Sequence, residues 1–240
     1  MRLARTLSAL AGKQVALSIS ACALLMSLAA PRAEAGLVVS NLNNLRDQAW
    51  TIGREDVDLT DSPVAIQFTT GAGPGWRLDS VVLNLGLFSG TPSADIDSYL
   101  ALDNGGVPGA LFAFFPSVAP TTLAEEITLA PLFPTLLAAN MSYWVVTAAD
   151  VNDNFVWNTT FDVSETGLPG WSIGDTAYAG YPAGSWTPLR LPGGPGEPDV
   201  DLPTLIGVNA RSVPEPSALA LSGLGVVLLV AARRRRPATA

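Results

Sequence analysis

The sequence predicts an all-β protein: a β-sandwich domain, jelly-roll-like, with an N-terminal signal peptide ahead of it and a C-terminal hydrophobic helix behind it. Three observations carry that prediction. Runs rich in β-branched and aromatic residues recur through the body of the chain between clusters of Gly, Pro, Asn and Asp, the composition and punctuation of strands and turns. In Leu78-Asp79-Ser80-Val81-Val82-Leu83-Asn84-Leu85 the residues Val81, Leu83 and Leu85 share one face and Ser80, Val82 and Asn84 the other, the period of a strand with one core face and one partly wet face. No stretch between residues 36 and 212 makes a convincing amphipathic helix of three turns; Pro131 to Ala139 comes nearest and opens on proline breaks.

Taken in order, the predicted strands are Val64–Thr69, Trp76–Leu87, Ile96–Leu102, Leu111–Phe115, Leu123–Leu129, Tyr143–Ala148 and Asn154–Asn158. The turn formers Asp103-Asn104-Gly105-Gly106-Val107-Pro108-Gly109 lie between the third and fourth and predict a hairpin with a long loop. From Thr187 to Pro203 the chain holds Pro188, Pro192, Gly193, Gly194, Pro195, Gly196, Pro198 and Pro203. That is too many breakers for a central strand, so 187–203 reads as a Pro/Gly-rich connector. Leu205–Val208 returns as a last strand, after which Asn209–Ser212 leads to the tail.

Both ends are built for a membrane. Arg2, Arg5 and Lys13 form a positive region, Val15–Leu28 an apolar one, and Ala33-Glu34-Ala35 a small-x-small cleavage site before Gly36, the three parts of a secretory signal peptide over 1–35. An uncleaved anchor is the alternative. At the other end, 213–240, Val213-Pro214-Glu215-Pro216 precede an uncharged apolar run, Ser217–Ala232, and then Arg233-Arg234-Arg235-Arg236. Sixteen residues of helix rise about 24 Å, short of the roughly 30 Å hydrocarbon core, so the span is marginal. The arginines stay cytoplasmic by the positive-inside preference, which puts the body on the far side. The prolines hold Val213–Pro216 extended, in a form a protease can grip.

This tail resembles the PEP-CTERM sorting signal, in which a Pro-Glu-Pro motif, a hydrophobic helix and an Arg-rich end are recognised by the integral-membrane protease exosortase. The resemblance covers Val213–Arg236, and a simple tail anchor is the other reading. It implies signal peptidase and exosortase as partners, a transient stay in the inner membrane, and a final place on the outer surface or outside the cell.

Between the ends, residues 36–212 are enough for one domain with a sizeable core. They carry five arginines, no lysine and nineteen acidic residues, a formal charge of −14 against −8 for the whole chain. Such a body repels phosphate backbones and anionic headgroups, so nucleic acid is not an expected partner, while divalent cations and cationic partners are attracted. An acidic surface that keeps a secreted protein soluble is the plainer account. The one cysteine, Cys22, lies in the signal peptide, and there is no histidine. That excludes the Ser-His-Asp triad, the Cys-His dyad and His- or Cys-based zinc sites. Carboxylate chemistry and calcium remain.

The candidate sites follow from what remains. Asp150, Asn152 and Asn154 stand at positions 1, 3 and 5 of a calcium loop, but Phe155 replaces the glycine and Phe161 the bidentate glutamate; an Asx-rich turn is the alternative. Calcium at these residues is the single cofactor candidate. Glu55, Asp56, Asp58 and Asp61 could gather round a cation or form a solvated loop, and Asp95 and Asp97 share one face of a strand start. Trp157, Trp171, Tyr178, Tyr181 and Trp186 crowd the second half. Trp171, Tyr178, Tyr181 and Trp186 are the candidate glycan contacts, with burial in the core as the competing expectation for Trp157 and Trp171. Asn140-Met141-Ser142 and Asn158-Thr159-Thr160 match the N-glycosylation pattern, improbable in a bacterial exosortase client.

The segments Ile66–Gly71, Trp76–Val81, Leu102–Leu111 and Leu136–Trp144, in that order, resemble the choice-of-anchor R domain, with a looser match over 149–200. The resemblance implies a bacterial surface domain with no assigned activity and no catalytic residue to carry over. The expected function is that of an exported, non-enzymatic structural or adhesive component of an exopolysaccharide or biofilm matrix. A carbohydrate-binding module and a glycan-active enzyme using two carboxylates are the rivals.

Overall fold

The computed structural model describes residues 36–52, 63–87, 95–122, 124–149, 155–180, 185–192 and 199–213. The expected signal peptide, the sorting tail from Pro214 onward, the acidic segment at 55–61, the calcium candidates Asp150, Asn152 and Asn154, and Tyr181 lie outside these residues. All regular structure among the described residues is strand.

The chain opens with β1 (Gly36–Ser40) and β2 (Gln48–Ile52), then β3 (Val64–Thr69) and the long β4 (Trp76–Leu87), and forms a hairpin from β5 (Ile96–Asp103) and β6 (Pro108–Phe114). Next come β7 (Glu125–Leu129), β8 (Thr135–Leu137), β9 (Ser142–Ala149), β10 (Phe155–Thr159) and β11 (Thr166–Gly167). The series ends with β12 (Ser172–Gly180), β13 (Ser185–Pro188), β14 (Arg190–Leu191), β15 (Val200–Asp201) and β16 (Ile206–Ser212). One sheet runs β11-β1-β16-β4-β10-β2, with β7 and β8 on the other flank of β4; the second runs β13-β12-β3-β9-β5-β6. A β-sandwich fits this arrangement.

The alternation in β4 is the core alternation. Val81, Leu83 and Leu85 are fully buried and belong to one cluster with Ile66 and Phe68 of β3, Leu100 of β5 and Val145 of β9. That cluster draws on the inner faces of both sheets. Each such side chain removed from water contributes about 1.5–3 kcal/mol. The opposite face of β4 is less wet than its sequence suggests, because Asn84 is itself buried. The amide of Asn158, on the neighbouring β10, donates to the Asn84 side-chain oxygen at 2.7 Å and satisfies it there.

A second, smaller cluster covers the outer face of the second sheet. Trp144 is fully buried among Ala65, Ala101, Val146 and Ala177, with Tyr99 and Trp186 packed over it. The alanines leave room on the sheet for one indole, which is why a large aromatic sits on what would otherwise be a solvated face.

Several expectations change. Residues 131–139 form no helix; Thr135–Leu137 is β8, paired to β4. The stretch read as a connector begins inside β13, which closes the edge of the second sheet, and holds a ribbon of β14 and β15 joined by the Arg190–Asp201 ion pair. The last strand runs through Asn209–Ser212 and is central, with β1 on one side and β4 on the other. β1, β2 and β12 had no counterpart among the predicted strands. In β12 the run Ser172-Ile173-Gly174-Asp175 reads as a turn, yet it spans a register shift against β3, the local irregularity that such residues suit.

Candidate functional site

Where the body meets its tail, the geometry is simple. β16 is bonded to β4 as far as Ser212 opposite Trp76, and the Val213 amide then donates to the Gly75 carbonyl at 3.1 Å. Val213 is therefore the last residue before Pro214 that the body holds. Gly36, which follows the expected signal-peptide cleavage site at Ala33 and Ala35, is the first residue of β1 and pairs with Ala210. Both ends of the domain thus belong to adjoining strands.

This end of the sandwich is closed by the loop from Gly71 to Gly75. The Gly71 carbonyl accepts from the Trp76 indole at 3.0 Å and from the Asn140 amide at 3.3 Å. Gly71 has no room for a side chain: a β-carbon there would stand 2.7 Å from Trp171. Trp171, a candidate glycan contact, is corrected by the structure. It is 5% exposed, stacked on Phe68 and edge-on to Trp76 with ring centres 5.1 Å apart, so it offers no free face to a sugar. Its burial follows from the large apolar area of the indole, which the core takes up.

Of the other aromatic candidates, the described ones, Trp157, Tyr178 and Trp186, pack against the protein too. Trp157 is fully buried and donates to the Leu205 carbonyl at 3.0 Å. Tyr178 is half-buried against Trp50, ring centres 5.3 Å apart, and Trp186 lies half-buried over Trp144. Asp95 and Asp97 are exposed, and the Ser117 hydroxyl donates to Asp97. Of the two sequon asparagines, Asn158 is buried and Asn140 exposed.

Two constellations emerge that the sequence did not single out. A cleft of about 180 Å³ is lined by Asn41, Glu165, Asp175, Thr176, Asp201 and their neighbours. Two of its three carboxylates are engaged by the protein: Arg190 contacts Asp201 at 2.7 Å and the Ile173 amide donates to Glu165. No tryptophan lines it. Its members lie on β12, β15, the residues before β11 and the residue after β1, and only the tertiary fold brings them together.

The second constellation is Asp103, at the end of β5. Its carboxylate accepts from the Trp144 indole at 2.8 Å, the Gln67 amide at 2.9 Å and the Gly106 backbone at 3.2 Å. Burial pushes this carboxyl up, but the hydrogen bonds from Trp144, Gly106, Gln67 and Gly105 together outweigh it and hold the group below the ordinary aspartate range. One residue thus ties the hairpin loop to the second cluster.

The chain matches the PEP-CTERM protein-sorting motif over residues 212–236. That match supports an exported protein processed at the membrane by exosortase. No curated protein matches the chain.

Proposed function

We propose that the body is a non-catalytic structural or adhesive domain, delivered through the general secretory route, held in the inner membrane by its tail, and released by exosortase to the outer surface or an exopolysaccharide matrix. The observation that carries the reading is the junction. The sorting motif begins at residue 212, and among the described residues the last bond is the one made by Val213, so cutting at Pro-Glu-Pro leaves every described strand in its sheet. A cargo domain needs that independence from its handle. The resemblance to choice-of-anchor R domains supports a surface role for the body, and the engaged carboxylates and aromatics support a passive one.

The test is the mass of the mature protein made with and without exosortase. A tail lost at Pro214–Pro216 only when the protease is present is the expected result; the same intact tail through Arg236 in both would overturn the reading.

A further inference from the structure

We propose that the end of the sandwich around Val213 is a membrane-docking face that rests on anionic lipid headgroups while the tail is inserted. The inference rests on the sorting reading and adds a surface of the body to it.

The length of chain beyond the body sets the geometry. Four peptide steps separate Val213 from Ser217, where the apolar run begins. Fully extended they reach about 14 Å. With Ser217 at the bilayer, the Gly75–Val213 end lies within that distance of it, whatever the tilt of the domain.

The surface at this end suits that neighbour. Leu136, Leu168 and Met141 are 60, 45 and 46% exposed, and the backbone of each is tied to the junction. Leu136 sits opposite Arg77 in the β8–β4 pair. The Met141 carbonyl accepts from Thr70, next to Gly71, and the Leu168 carbonyl accepts from Trp171, which packs on Gly71. Segments 68–76, 135–144 and 167–172, which meet at this end, contain no charged residue in a body of net −14, and Asp103 at the end of β5 beside them has its carboxylate taken up by Trp144, Gln67 and Gly106. An acidic domain can approach an anionic bilayer only by such a face.

Arginine supplies the attraction. Arg77 and Arg211 are direct partners across β4 and β16, in a body with five arginines and no lysine. Like charges placed opposite each other repel. Arg211 reaches Asp79 at 3.4 Å, whereas Arg77 is exposed and has no ion pair among the described residues. The register puts Leu136, Arg77 and Arg211 in one row on the outer face of the first sheet. A row of one large apolar side chain and two guanidiniums, beside a membrane tether, matches the chemistry of an anionic interface: apolar groups enter the headgroup boundary and arginines meet phosphate.

The experiment uses the full chain with Cys22→Ala, and single cysteines introduced by Leu136→Cys, Met141→Cys, Thr122→Cys or Leu224→Cys, each labelled with an environment-sensitive fluorophore. The chain is reconstituted in vesicles of phosphatidylethanolamine with phosphatidylglycerol. Thr122 is exposed and bonded to Leu87 at the far end of β4, roughly 36 Å from Trp76, and serves as the solvent reference. Leu224 lies in the apolar run and reports insertion of the tail. Labels at 136 and 141 are expected to blue-shift and brighten about two-fold or more over the label at 122. In phosphatidylcholine, or with Arg77→Glu, about half of that gain or more is lost. If 224 reports lipid while 136 and 141 match 122, the docking face is wrong and the sorting reading stands. If 224 itself stays in water, the tail reading fails and takes this one with it. If 136 and 141 respond only when exosortase is reconstituted alongside, the face belongs to the protease and not to lipid.

Discussion

At the scale of single residues, Asp103 is the most connected polar group in the second sheet. Replacing it with alanine leaves the indole N–H of the fully buried Trp144 without its acceptor, at an expected cost of about 1–3 kcal/mol. Urea unfolding of Asp103→Ala against the parent measures it. The same residue gives a pH dependence of known sign. Its folded pKa is depressed, so its contribution is fully present above the unfolded value of about 4 and is lost as pH falls below that, through the folded value. The stability gap between the parent and Asp103→Asn is therefore expected to narrow from pH 6 to pH 3. Gly167 makes a different demand. A β-carbon there would run into the backbone of Val38 and Val39, which cannot swing aside as a side chain can. Gly167→Ala is expected to destabilise by about 1–3 kcal/mol, and a lowered urea midpoint with unchanged slope would register it.

At the scale of elements, β16 decides which truncations the domain survives. It lies between β1 and β4, and the Asn41 side chain bonds it and its approach twice, donating to the Thr204 carbonyl at 3.0 Å and accepting from the Ile206 amide at 2.7 Å. A chain ending after Val213 is expected to keep cooperative thermal unfolding, and one ending after Leu205 to lose it; circular dichroism distinguishes them. The sequence made β3 and β4 legible to the residue, because a period of two over β-branched and aromatic residues has few competing explanations. It left β12 unread because Gly174 and Asp175 imitate a turn, and it stopped the last strand at Val208 because Asn209-Ala210-Arg211-Ser212 has no apolar alternation to follow. What makes those residues a strand is the pairing with Trp76–Ser80, which no local pattern encodes. The sorting motif was legible for the opposite reason, since its parts are contiguous. The Glu165–Asp175–Asp201 cleft was not, since its parts meet only after folding.

At the scale of the molecule, the body carries −14 with five arginines, and the compact state gathers that charge. Screening it relieves self-repulsion. Raising sodium chloride from 20 mM to 500 mM is expected to lift Tm by about 2–4 °C, the equivalent of about 1 kcal/mol in a domain of this size; an unchanged or falling Tm would show that specific ion pairs outweigh the net charge. The pairing of β1 with β16 has a further effect, on timing. β1 has only the short β11 beside it until the last strand arrives, so a chain threaded through a translocon from its N-terminus can complete its second sheet, whose strands all lie before residue 189, but not its first. The first sheet closes around β16 only once residue 212 has crossed. Delivery of the last strand and arrival of the tail at the membrane are then one event, and the clock that lets the first sheet close is the same one that stops export.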